Sequence, residues 1–266
     1  MRSIVSFLFA ATLMAPALLF SGAVSAQVQP HRAEYTLRLG AAANAARIGT
    51  AVHDLTQDCG GWHLKRDIKT EIALTASWKM SLASKLDSEE TRNAFRYGLV
   101  QTQNGNPRDV KGRVQKQGGD LKAEIVFGTS PPSQFVLPPP TLLPVAAINH
   151  LIERLAAKAA SFPALMFDPE VIGDVFLIEV TEQDRATLRG ARPADRPVTL
   201  PQGKSWPVFM NFSRGRNQDT KPIFSVTALV FENGVLDRLT VETGLLSITA
   251  DLASLEMRKA PVCPRA

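Results

Sequence analysis

From residue 62 to residue 74 the chain alternates between a largely apolar set of side chains and a largely charged one. The even positions are Trp62, Leu64, Arg66, Ile68, Thr70, Ile72 and Leu74, and the odd ones are His63, Lys65, Asp67, Lys69, Glu71 and Ala73. A helix, repeating every ~3.6 residues, would scatter such a pattern around its circumference; a strand sends it to two faces, one largely apolar and one charged. The period returns at Trp206, Val208, Met210 and Phe212, and at Phe224, Val226, Ala228 and Val230. It recurs around Phe95, Tyr97 and Leu99 and through residues 235–242 and 245–255. The turn signals Glu232-Asn233-Gly234 and Thr243-Gly244 separate the closing runs, which predicts a meander of antiparallel hairpins with one buried face. Gly118-Gly119-Asp120 likewise joins two strand candidates, residues 110–116 and 121–127.

One segment changes period. After a proline-rich stretch at residues 130–144, Val145, Ile148, Leu151, Ile152, Leu155 and Ala159 follow helical spacing, with Glu153, Arg154 and Lys158 opposite. A lone amphipathic helix must bury its apolar stripe, and the partner this chain offers is the concave face of a curved sheet. The prolines read as a stiff connector that delivers the helix to that face. The expected fold is therefore mainly β: a single, strongly curved antiparallel sheet, spiral or open barrel, wrapped on one main α-helix. Residues 186–204, rich in Arg, Pro and Gly, read as an exposed loop.

The N-terminus reads as an address. Arg2 precedes an apolar run at residues 4–20, and Val24-Ser25-Ala26 supplies a small-x-small exit, the layout of a secretory signal peptide cut after Ala26. The expectation is residues 1–26 as signal and 27–266 as a single β-rich periplasmic domain with no transmembrane anchor after cleavage. Cleavage removes Arg2 and no acidic residue, so the formal net charge falls from +5 to +4. Basic residues are interspersed with acidic ones, so no nucleic-acid partner is expected.

Export changes how the two cysteines read. An oxidising compartment favours a disulfide between Cys59 and Cys263. The bond would close about 205 residues and contribute roughly 5 kcal/mol in the chain-entropy picture. The alternative is a redox-active pair, but neither cysteine lies in a Cys-x-x-Cys motif. Two cysteines and four scattered histidines supply no metal-ligand spacing, so no metal or cofactor is expected.

No nucleophile elbow, zinc-protease helix, phosphate-binding loop or dinucleotide fingerprint occurs in the sequence, and no catalytic residue is assigned. His31 and His63 are expected in solvent, and His150 at the border of the helix's apolar stripe. Glu89-Glu90 is expected in a solvated turn. The aromatic residues Trp62, Trp78, Phe95, Trp206 and Phe224 fall in the alternating segments. Core packing accounts for such residues, and the sharper expectation is that they line a cleft for an acyl chain between sheet and helix.

Several landmarks together resemble one family. His31-Arg32-Ala33-Glu34-Tyr35-Thr36-Leu37, Cys59-Gly60-Gly61-Trp62, the helix carrying His150, Ser205-Trp206-Pro207-Val208, Glu232-Asn233-Gly234-Val235 and residues 252–255 before Cys263 are similar to the EipB-type cell envelope integrity proteins of Gram-negative bacteria. The resemblance implies a lipoprotein-carrier-like fold, a Cys59–Cys263 disulfide, and a non-enzymatic role in envelope integrity under stress. A carrier of a lipid or lipoprotein acyl chain is the first alternative, and a hydrolase acting on an envelope polymer the second. Partners would be periplasmic envelope proteins or an acyl-chain ligand. The chain departs from the family pattern at Leu142-Leu143-Pro144, Pro169 and Thr243, so no ligand preference carries over.

Overall fold

A computed structural model describes residues 26–73, 75, 79–188, 198–216 and 221–264. The alternating segments form strands, and more of the chain joins them than the alternation alone indicates. Eight strands come first: β1 (His31–Leu39), β2 (Arg47–Gln57), β3 (Trp62–Ala73), β4 (Lys79–Glu90), β5 (Ala94–Gln103), β6 (Asn106–Gln117), β7 (Asp120–Phe127) and β8 (Ser133–Leu137). The helix α1 (Pro144–Ala156) follows. Six more complete the sheet: β9 (Ser161–Asp168), β10 (Asp174–Glu182), β11 (Ser205–Arg214), β12 (Phe224–Phe231), β13 (Leu236–Glu242) and β14 (Ser247–Met257).

All fourteen belong to one antiparallel sheet, in the order β8 through β1, then β14 down to β9. The first and last strands therefore meet in the middle, where β1 pairs with β14. The two free edges are β8 and β9, the strands that flank the helix in sequence. The sheet is an open spiral rather than a closed barrel, and the expected architecture holds. In part, chain from the connector covers the β9 edge: the Leu142 amide donates to the Leu165 carbonyl at 2.7 Å, and the Leu142 carbonyl accepts from the Phe167 amide at 2.9 Å. Covering an edge in this way satisfies backbone groups that would otherwise invite pairing with another chain.

The concave face holds the main core. Leu55, Leu64, Leu86, Leu99, Ile125, Phe176 and Ala228 converge there with Val145, Ile152 and Leu155 of α1. Strand β12 is buried on both faces: Val226, Ala228 and Val230 enter this core, while Leu229 and Phe231 enter a second cluster with Ala33, Val235 and Leu252. Across the central β1–β14 pairing, Arg38 Nε donates to Asp251 Oδ2 at 2.6 Å in a nearly solvent-free ion pair. Close packing also dictates small residues. A Cβ on Gly112 would lie 2.3 Å from a ring carbon of Tyr97, its cross-strand partner, so a larger residue there requires the buried ring to move.

The helix starts and ends by means outside its own sequence. Pro144 occupies its first turn and Leu143 offers no capping side chain. The cap comes from β4: Glu90, buried, accepts from the backbone amides of Val145 (2.7 Å) and Ala146 (2.8 Å). Glu89 and Glu90 thus lie in a strand, not in a solvated turn; Glu90 faces inward because it stands in register with Trp62 and Phe95, while Glu89 points outward to Arg96. At the other end, Lys158 adopts a positive φ of 59° and turns the chain away. Ala159 therefore lies beyond the helix, although it continues the apolar spacing. Residues 133–137 of the proline-rich connector are strand β8, because the pairing edge of β7 recruits them.

The disulfide Cys59–Cys263 is present, joining the β2–β3 turn to the segment after β14, with Cα atoms 5.5 Å apart. Arg258, just after β14, forms an ion pair with Asp54 of β2. The signal-peptide reading lies almost wholly outside the described residues, as do Trp78 and residues 189–197 of the expected loop. Among the described residues, no helix is long and apolar enough to cross a membrane.

Candidate functional site

The apolar stripe of α1 does not pack flush on the sheet. Between them lies a cavity of about 290 Å³. Val145, Ala147, Ile148 and Leu151 form its helical wall. Opposite stand Phe162, Ala164 and Met166 of β9, Ile178 and Val180 of β10, Met210 and Phe212 of β11, and Leu239 and Val241 of β13. These strands present alternate residues to the inside, so a continuous apolar wall follows directly from the period-two pattern. The volume is at the lower end of sites that hold small molecules, about 300–1,000 Å³. The two methionines are soft, adaptable wall elements.

One end of the cavity is polar. His53 of β2 and Arg66 of β3, cross-strand partners, lie there with Asp168 at the end of β9. Arg66 donates to Glu170 through Nη1. Glu170 sits in the β9–β10 turn and is nearly buried. Its carboxylate also accepts from the Ser84 hydroxyl of β4 at 3.4 Å, and its carbonyl accepts from Gln101 Nε2 of β5 at 3.1 Å. This turn therefore reaches across the open spiral and ties the β9 side to β3, β4 and β5. Asp168 shapes it by accepting from the amides of Val171 (2.6 Å) and Ile172 (3.0 Å), an Asx-type arrangement.

Burial governs the titration of these groups. It raises the Asp168 carboxyl above its ordinary range, against the two amides that favour the charged form. It lowers His53 well below the usual imidazole value, and Arg66 and His31 add to that. It lowers His31 too, partly offset by the Gln29 carbonyl that accepts from Nδ1 at 2.8 Å. The two imidazoles are stacked, with centroids 5.5 Å apart. His31 is thus a buried residue and not a solvated one: odd positions of β1 face inward, and the ring finds its partner in His53. His63, half exposed, pairs with Asp58 at 2.8 Å. His150 lines the cavity and meets Phe162 edge-on.

The four described aromatics expected at the cleft are placed elsewhere. Phe95 is buried against Tyr97 and Phe167. Phe224 stacks on Phe212 at 4.6 Å and meets Phe176 edge-on, and of these three only Phe212 reaches the cavity wall. Trp206 is partly buried against the main core. Trp62 borders a separate groove beside the start of α1, with Glu90, Leu121, Leu137 and Asn149. The cavity is lined instead by other rings, Phe162, Phe167 and Phe212, together with the small Ala147 and Ala164 and the flexible Met166 and Met210. The residues that sequence reasoning passed over are Arg66, His53 and Glu170. Arg66 carried a signal: it is a charge on the apolar face of its strand.

Comparison with known proteins fits this picture. The model of the EipB-like family matches residues 23–259. The chain belongs to that family. Among solved structures, the EipB-like chain is similar to a β-barrel-like protein of a domain of unknown function (DUF1849) from Brucella abortus. The TM-score is 0.70 at 17% identity, over 88% of this chain and 100% of the other. No curated protein matches it. The disulfide fits an oxidising, extracytoplasmic compartment.

Proposed function

We propose that this protein works in the periplasm, supports the integrity of the cell envelope without catalysis, and does so by holding an acyl chain in the cavity beneath α1. The observation that carries the reading is the cavity itself: an apolar chamber between helix and concave sheet with polar groups gathered at one end. That is the layout an amphiphile requires, since apolar burial supplies affinity and a few placed polar groups fix orientation. The reading is favoured over polymer hydrolysis by the carboxylates. Asp168 and Glu170 lie two residues apart on one turn, committed to backbone amides and to Arg66, whereas hydrolysis of a glycosidic bond calls for two carboxylates facing each other across a cleft.

Ala164→Trp tests this by filling the chamber. Overpacking of this kind costs about 1–3 kcal/mol, which a domain of this size tolerates. Protein purified from the periplasm without detergent, extracted with solvent and examined by mass spectrometry, should yield acyl lipids from the wild type and little from the folded variant. The variant should also fail to restore detergent resistance to a deletion strain. Equal acyl recovery from both proteins, or a wild type that is consistently empty, would contradict the proposal.

A further inference from the structure

The polar end of the cavity is built from charges that already balance one another. Arg66 is the cation on the wall, and its guanidinium is engaged by Glu170 through Nη1. Glu170 is 9% exposed and held by Ser84 as well. Asp168 adds a second buried carboxyl from the same turn, and His53 beside Arg66 is an imidazole that burial keeps neutral. The set sums to zero or to a negative value before any ligand arrives.

Resting on the acyl-chain reading, we propose that the ligand's head at Arg66 is uncharged: the cavity takes an acyl ester or amide rather than a free fatty acid. A carboxylate or phosphate placed here would be a further anion beside two buried carboxyls, Asp168 and Glu170. To pair with the remaining edge of Arg66 it would have to share that one cation with Glu170 and lie beside the Asp168 carboxyl. A carbonyl oxygen brings no such charge. The guanidinium carries five N–H donors in a planar fork; the Glu170 contact runs through Nη1, and among the described residues no partner takes Nε or Nη2, which can donate to an ester or amide oxygen. Glu170 is then a specificity-determining residue that screens out anionic heads.

Calorimetric titration at neutral pH with three probes of equal chain length tests this: monolaurin, laurate and an N-lauroyl peptide without charged side chains. Monolaurin or the lauroyl peptide should bind wild-type protein at least about tenfold more tightly than laurate, and the tighter of the two identifies a glycerolipid or a protein-borne chain as the source. Glu170→Gln, which keeps an acceptor for Arg66, should close most of the gap by strengthening laurate binding. Laurate binding as tightly as the neutral probes would overturn this inference and leave the acyl-chain reading standing. Failure of all three to bind would overturn the reading itself. The wild-type comparison stands alone if the variant does not fold.

Discussion

Glu90→Ala should destabilise the protein by about 2–4 kcal/mol near pH 5, and by much less at pH 8. The first number follows from what the side chain does. It accepts from two amides at a helix start that has no capping residue of its own, and removing such a cap leaves buried N–H groups without partners. The pH dependence follows from its burial, which pushes the carboxyl up from 4.5 to about 7 against the two amides that favour ionisation. A raised carboxyl pKa means that the folded state binds the proton more tightly than the unfolded one. Its contribution is fully present below about pH 4.5 and is lost as pH rises toward 7, by roughly 3 kcal/mol in all. Glu90→Gln, which cannot ionise, should lose less stability than the wild type across this window and should be at least as stable as the wild type at pH 8. Denaturant unfolding of the three proteins at pH 5 and pH 8 measures this directly. A wild type that tracks the glutamine variant at both pH values would show that Glu90 does not titrate there.

Cys59→Ser should cost a few kcal/mol under non-reducing conditions, with roughly 5 kcal/mol as the chain-entropy ceiling for a bond spanning 204 positions. In a domain of this size that is a fall in melting temperature of about 5–15 °C. The bond joins the β2–β3 turn to the segment after β14, and β1 paired with β14 lies between those elements. Its loss therefore loosens the seam where the two ends of the chain meet. Cys263→Ser should cost the same, and the double substitution no more than either single one, because all three remove one bond. An unchanged melting temperature in the single variants would refute a structural role for the disulfide.

The strands legible in the sequence are those with polar residues on one side and apolar residues on the other, such as β3, β11 and β13. Strand β4 was hidden because its inward positions include Ser84, Ser88 and Glu90, which turn the alternation polar. Strands β9 and β10 carry apolar residues at consecutive positions, Leu165-Met166-Phe167 and Val175-Phe176-Leu177-Ile178, which blurs the period of two. The site was harder still. Its walls are ordinary core residues, and its boundary depends on what α1 leaves unfilled, a property of distances in space. The Arg66–Glu170 pair spans 104 positions and joins a strand to a turn on the opposite side of the spiral. Only the charge on the apolar face of β3 marked one half of it in advance.

The account stands or falls on whether an acyl chain enters the cavity beneath α1. Nuclear magnetic resonance with methyl-labelled methionine measures this most directly, because Met166 and Met210 both line the chamber. With monolaurin bound, both methyl groups should show intermolecular Overhauser contacts to chain methylenes, and Ala164→Trp should abolish them. Contacts confined to exposed Met257, or no contacts to Met166 and Met210 at saturating ligand, would contradict it.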